Sequence, residues 1–253
     1  MKFSTLTISA VILLLLTSCA TTEKEKLSSG RGLTPKQLYE KARSNIKSHN
    51  FRSAIEKLES LDSRFPFGPF AEQAQLDLIY AYYKNRDSAS AISQADRFIR
   101  QHPRHAFVDY AYYMKGLVNF TAEIGFFQEA LSSKLSERDA SSARQSFRNF
   151  SELVKKFPKS NYANDARKRM LYLRNRLAQY ELHVARYYMS RKAYLAAANR
   201  AKYVIEHYPR SNQDADALSI MVTAYNILGL PTLAEKARRT LKLNYPNYQF
   251  DDS

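Results

Sequence analysis

The sequence predicts an all-α protein built as a solenoid of five helix–turn–helix units. Three observations carry that prediction. Glycine is scarce, six in 253 residues, and tryptophan is absent, while good helix formers such as Ala, Leu, Lys, Arg and Glu are plentiful. Prolines recur as punctuation: five of the eight, Pro66, Pro103, Pro158, Pro209 and Pro246, each close a helical stretch. A small residue, Ala54, Ala91, Ala197 or Ala234, stands twelve positions before four of them. The segments Thr34–Pro66, Ala71–Pro103 and Asn212–Pro246 each run to about 34 residues, the period of a two-helix repeat.

The chain before the first unit reads as an export and anchoring signal. Lys2 precedes an apolar run, Leu6 to Leu16, broken only by Thr7 and Ser9. That run is short of the roughly 20 residues a membrane span needs and has the length of a signal-peptide core. It ends in Leu16-Thr17-Ser18-Cys19, which resembles a bacterial lipobox, and Cys19 is the only cysteine. Residues 1–18 are therefore expected to be a lipoprotein signal peptide. Cys19 becomes the new N-terminus, carrying diacylglycerol and an N-acyl chain. Multiple acyl chains hold a protein on a bilayer where one does not. Ala20, rather than Asp, resembles the sorting pattern for the outer membrane. Loss of Lys2 lowers the formal charge from +15 to +14. No thiol is left for disulfide, redox or metal chemistry. Residues 19–33 have no apolar periodicity and read as a lipidated, flexible tether.

Thr34-Pro35-Lys36-Gln37 opens the first helix as a capping box with proline at the first helical position. Arg64-Phe65-Pro66-Phe67-Gly68-Pro69-Phe70 cannot be helix, because two prolines lack donors and constrain the residues before them. Ala71 to Lys84 then reads as continuous helix. Each unit resembles a tetratricopeptide repeat, which implies a right-handed solenoid. The second unit matches best, with Leu78, Ala81, Tyr82, Ala91, Phe98 and Pro103 at the packing positions. A large residue on helix A needs a small one on helix B for a close crossing, and one pair cannot bury its apolar face alone. In the third unit an insertion, Thr121 to Ala140, is expected between helix A (about Asp109 to Phe120) and helix B (about Ser141 to Phe157). Its Phe126-Phe127 pair points to protein contact. In the fourth unit, Tyr162 to Tyr188 lacks Gly and Pro and predicts an extended helix. Tyr248 to Ser253 is expected to fray. Residues 34–158 thus hold repeats one to three, and 159–253 repeats four and five.

No catalytic constellation is visible. The only closely spaced glycines, Gly30 and Gly32, lie in the tether. The five histidines, His49, His102, His105, His183 and His207, form no HExxH pair, and His102 and His105 sit in an inter-repeat turn. Neither a metal nor any cofactor beyond the Cys19 lipid is expected, and the chain does not read as an enzyme. The basic balance suits an acidic partner. Projecting the helical period onto the first three inner helices places Tyr39, Arg43 and Lys47, then Leu76, Tyr80, Tyr83 and Lys84, then Tyr110, Tyr113 and Phe120 on one face each. Such an aromatic, basic groove suits an extended peptide with aromatic side chains and a carboxylate. Inter-repeat packing is the competing use for these tyrosines. An exported, lipid-anchored chain is not expected to meet nucleic acid.

The stretch Arg64 to Phe70, with Gln75-Leu76-Asp77-Leu78-Ile79-Tyr80-Ala81-Tyr82-Tyr83-Lys84-Asn85, resembles the BamD family, lipoproteins of the outer-membrane barrel-assembly (BAM) machinery. So do Asp96-Arg97-Phe98-Ile99-Arg100, Tyr113-Met114-Lys115-Gly116-Leu117, Phe126-Phe127 with Glu137-Arg138-Asp139, Phe147 with Phe150-Ser151, and Asn199-Arg200. The resemblance covers nearly the whole mature chain. It implies a non-catalytic scaffold on the periplasmic face of the outer membrane. Its implied partners are the periplasmic domains of a BamA-like barrel subunit, other assembly lipoproteins and outer-membrane protein precursors. It implies a precursor-binding groove in the N-terminal repeats, with Phe65, Phe67, Tyr39, Leu76, Tyr80, Tyr83, Lys84 and Tyr113 as candidate contacts. Phe65 stands where Tyr also occurs in the family. The C-terminal repeats are implied to dock the machinery, with Asn199 and Arg200 towards the barrel subunit. The alternative is another repeat lipoprotein of the cell envelope, serving pilus biogenesis or cell-wall coordination.

Overall fold

The structure, a computed structural model, describes residues 32–129 and 139–249. Cys19, the signal peptide and the tether up to Arg31 lie outside the described residues, as do 130–138 of the expected insertion and 250–253. Every regular element among the described residues is a helix. These are α1 Pro35–Lys47, α2 Phe51–Arg64, α3 Ala71–Lys84, α4 Ser88–Gln101, α5 Val108–Glu129, α6 Ser141–Lys156, α7 Ala163–Ser190, α8 Tyr194–His207, α9 Asp214–Ile227 and α10 Pro231–Asn244. They form five consecutive pairs, as the repeat reading expects. The chain divides into two compact units, Met1–Met114 and Lys115–Ser253, with α5 running from one into the other. This boundary is distinct from the division of repeats at residue 158.

The same devices recur from pair to pair. Thr34 caps α1 in the expected capping box with Gln37. Asn50 and Asp87 cap α2 and α4 through their side chains. Four turns inside pairs share one geometry. His49, Arg86, Lys192 and Gly229 are left-handed, with φ of 61°, 62°, 59° and 69°. The next residue's N–H reaches five residues back, as in Asn50 to Asn45 at 2.8 Å and Leu230 to Tyr225 at 2.9 Å. This is the Schellman closure, which satisfies carbonyls a helix end would orphan. Three of the four lack glycine, at about 1 kcal/mol each.

Helix B of every pair ends on an aromatic ring. Phe65, His102, Phe157, Tyr208 and Tyr245 are the C-caps, each bonded through its N–H to the carbonyl four residues back. Each precedes a unit-closing proline, which drives the residue before it out of helical geometry. The small residues sit at the crossings. Ala54, Ala91 and Ala197 are fully buried and Ala234 is 2% exposed. In the first unit the crossing is filled by Leu38, Ala42, Leu58, Leu61, Ala74, Leu78 and Ala81.

The third repeat, within the second compact unit, departs from the expected insertion. The helix does not stop at Phe120: α5 continues through Thr121 to Glu129. Glu123 accepts from Arg176 Nε on α7 at 2.8 Å, with both side chains at most 5% exposed. A buried carboxylate without a partner is strongly unfavourable, so this pair holds the extra turns of α5 against α7. Phe120, expected on the groove wall, is 7% exposed and packs edge-on against Phe150 and Tyr172. The extended fourth-unit helix is present as α7, 28 residues long. The tail expected to fray is tied as far as Tyr248, whose hydroxyl donates to Asp216 at 2.7 Å.

At the third crossing Ser146 replaces alanine and donates to the Gly116 carbonyl at 2.9 Å. A Cβ on Gly116 would lie 2.5 Å from the Phe150 ring. Gly116→Ala is therefore expected to lower stability by about 1–3 kcal/mol. Phe150→Leu in the same chain should recover part of that loss, both read by denaturant unfolding.

Candidate functional site

The corner from Phe65 to Phe70 joins α2 to α3. Gly68 has φ of 117°, a conformation glycine adopts without strain. Its carbonyl accepts from the Ala71 N–H at 3.1 Å, which starts α3. The corner and the first turn of α1 enclose a cavity of about 210 Å³, walled by Phe65, Phe67, Phe70, Leu61 and Pro35 with Lys36 beside them. Phe67 is 91% exposed. The Arg64 guanidinium lies 4.9 Å from the Phe65 ring centroid and donates to the Leu33 carbonyl at 3.3 Å. That bond ties the corner to the start of α1. The cavity has the chemistry to take an apolar or aromatic side chain, with Lys36 as the one cationic residue of its lining.

Several of the predicted groove residues contact neighbouring side chains. Tyr39 packs on Phe70 with centroids 5.3 Å apart. Burial pushes its phenol pKa up, and the Asp77 carboxylate adds to the shift. Arg43 faces Asp77 at 3.5 Å. Leu76 is 3% exposed and belongs to the core, so its expected contact with a ligand is corrected here. The period that placed it on the groove face also points it at a neighbouring helix. Tyr80 meets Phe51 edge-on at 6.2 Å, and Lys84 Nζ lies 5.9 Å from the same ring. Asp77, Tyr80 and Lys84 thus form a ridge against the preceding repeat, and Phe51, which sequence reasoning missed, is its other half. Tyr83 and Tyr113 are half-buried. None of Tyr80, Tyr83, Lys84 or Tyr113 lines the corner cavity.

In the second unit, Asn199 and Arg200 lie on the exposed side of α8. Arg200 Nη1 donates to Glu181 Oε2 on α7 at 2.9 Å. Glu181 itself is 3% exposed. Its hydrogen bond raises the already high Arg200 pKa, so the guanidinium keeps its charge. Nearby, Tyr203 stacks on His207 with centroids 3.8 Å apart and remains 38% exposed.

A family model described as an outer membrane lipoprotein (YfiO) matches residues 31–241. A relative from Vibrio cholerae is 40% identical over 210 residues, 83% of this chain and 87% of its own. One from Neisseria meningitidis (strain Z2491) is 41% identical over 239 residues, 94% of this chain and 90% of its own. One from Xylella fastidiosa (strain Temecula1) is 38% identical over 249 residues, 97% and 84% respectively. All three carry the name outer membrane protein assembly factor BamD. The chain belongs to the BamD family. Among solved structures, MamA AMB-1 aligns over 85% of this chain and 93% of its own at 12% identity and a TM-score of 0.35, a likeness too slight to bear on this BamD-family fold.

The corner therefore plays two parts in this BamD-family chain. Phe65 is the C-cap aromatic that every repeat has, and Phe67 is the residue the other repeats lack. Phe67→Ala is expected to leave the unfolding midpoint unchanged. Leu76→Ala should lower stability by about 2–5 kcal/mol through the cavity it leaves. Thermal denaturation of the two variants separates a surface contact from a core residue.

Proposed function

We propose that this BamD-family chain is a non-catalytic scaffold for outer-membrane protein assembly. It is held on the periplasmic face of the outer membrane by lipid on Cys19. Its N-terminal repeats receive barrel precursors, and its C-terminal repeats dock the barrel subunit and accompanying lipoproteins. The observation that carries the reading is the aromatic cavity at the corner, flanked by an exposed Phe67 and by Lys36. Burying one aromatic side chain there is worth about 1.5–3 kcal/mol. That suits transient capture of an unfolded segment followed by release. Capture needs no covalent step, and the relatives' shared name, assembly factor, supports a role in handling other proteins.

Membrane attachment is assigned to the acylated cysteine. No described helix is long and apolar enough to cross a membrane. Cys19→Ala is expected to move the protein from the membrane to the soluble fraction; retention through a high-salt wash would rule out the lipid anchor.

Precursor capture is tested with a labelled peptide from the C-terminus of an outer-membrane barrel protein. Binding measured by fluorescence anisotropy should weaken about tenfold for Phe67→Ser and for Phe65→Ala. Equal binding by wild type and both variants would remove the corner from the proposed site.

A further inference from the structure

Positive charge is unevenly placed along the chain. Residues 139–249 hold 20 Lys and Arg against eight Asp and Glu, a formal balance of +12, whereas residues 33–114 hold 12 against nine. Apolar exposure is uneven too. Of the twelve large hydrophobic side chains exposed among the described residues, six lie at the α7–α8 and α9–α10 turns: Tyr187, Leu195, Ile227, Leu228, Leu230 and Leu233. These turns share one edge of the second compact unit. Met189 and Tyr194, from the first turn, pack against a cluster that holds Ala224, Tyr225 and Ala234, from the second. The matching turns of the first unit are polar, Lys47-Ser48-His49-Asn50 and Lys84-Asn85-Arg86-Asp87. Arg191, Lys192 and Lys236 are exposed cations beside the apolar tips. The one acid in these two segments, Glu235, faces Arg238 at 3.9 Å. The tips also have their backbone donors in use. The N–H groups of Lys192 and Ala193 reach the Met189 and Tyr188 carbonyls at 3.0 and 2.9 Å, and those of Leu228, Gly229 and Leu230 reach Ala224, Asn226 and Tyr225 at 3.1, 3.1 and 2.9 Å. Such turns can leave water without stripping those donors of a partner.

We propose that this edge is a membrane-contact surface: its apolar tips enter the headgroup boundary of a bilayer that contains anionic lipid, while Arg191, Lys192 and Lys236 meet the lipid phosphates. The inference rests on the lipid-anchor reading of Cys19, which puts the chain at a bilayer, and adds a second point of contact. Leucine and tyrosine flanked by lysine and arginine suit such a boundary, because the apolar body sits among acyl chains and the charged head reaches back to phosphate. The +12 balance of residues 139–249 adds attraction to an anionic surface within a Debye length of about 8 Å. The contact alone is weak and reversible, so Cys19→Ala is still released by washing. With the acyl chains holding the protein at the bilayer, the contact forms at high effective concentration and sets how the second compact unit faces the lipid.

The test uses the mature chain in unacylated form, with Cys19→Ala, so that the anchor contributes nothing. It is sedimented with vesicles of phosphatidylcholine alone or with about one quarter phosphatidylglycerol. Binding is expected to the anionic vesicles and to be slight on the neutral ones. Leu195→Ser with Ile227→Ser, both at positions more than half exposed, should weaken binding about tenfold and keep the unfolding midpoint. Arg191→Gln with Lys192→Gln should weaken it several-fold and flatten its salt dependence. Because the chain has no tryptophan, Ile227→Trp is a single reporter whose emission should shift to the blue on adding anionic vesicles. Leu243→Trp, at the far end of α10 and 76% exposed, should not shift. Binding that every edge variant retains would assign the attraction to basic charge in general and overturn the site. An unshifted Ile227→Trp on bound protein would overturn insertion of the tips. Failure to bind anionic vesicles would overturn the surface as a whole and leave the anchor reading standing, since that reading fails only if the Cys19→Ala protein stays with the membrane in cells.

Discussion

Close approach of paired helices is the constraint from which the rest of the structure follows. Two helices come within 8–10 Å only where the facing side chains allow it. Here the crossing positions are Ala54, Ala91, Ala197 and Ala234, with Ser146 opposite Gly116 in the third pair. Because these residues are small, the large ones around them interdigitate: Leu38 with Leu58 and Leu78 in the first unit, and Phe150 over Gly116 in the second. No pair closes its core alone, so each repeat is stabilised by its neighbours. The proline after each helix B serves the same end, turning the chain back so that the next helix A can pack.

The second unit adds a different kind of interaction. Glu123 and Glu181 are buried acids, each held by arginine from another helix. Such pairs contribute less net stability than apolar packing but penalise any other arrangement of the helices. Glu123–Arg176 lengthens α5 past the point where a repeat helix would stop. Glu181 fixes how Arg200 meets solvent. A surface arginine is ordinarily free to move; this one is held to a buried carboxylate.

The corner shows how a repeat position acquires a task. Phe65 shares its backbone geometry with His102, Phe157, Tyr208 and Tyr245, so its ring has a structural reason to be there. What is particular to this junction is its composition, Phe67-Gly68-Pro69-Phe70, in a linker as long as those between the other repeats. It opens a cavity against the start of α1 and leaves one phenylalanine in solvent. In the proposed reading, capture of an apolar segment would use that surplus surface without disturbing the cap. The BamD-family membership gives the surplus a biological setting.

The helical class, the repeat length, the closing prolines, the Thr34 capping box and the small crossing residues were all legible in the residues alone. Each depends on local chemistry: proline's missing donor, alanine's size, the reach of threonine to a nearby N–H. The left-handed turns at His49, Arg86 and Lys192 were not legible, because their residue types do not announce that geometry. Nor was the continuation of α5, which depends on a pairing between Glu123 and Arg176 that are 53 positions apart. The groove was the least legible feature. Helical period says which residues share a face, and Tyr80, Lys84 and Leu76 do lie on α3 as projected. Whether that face meets solvent or the neighbouring repeat depends on Phe51 and the packing of α2, which only the tertiary structure supplies.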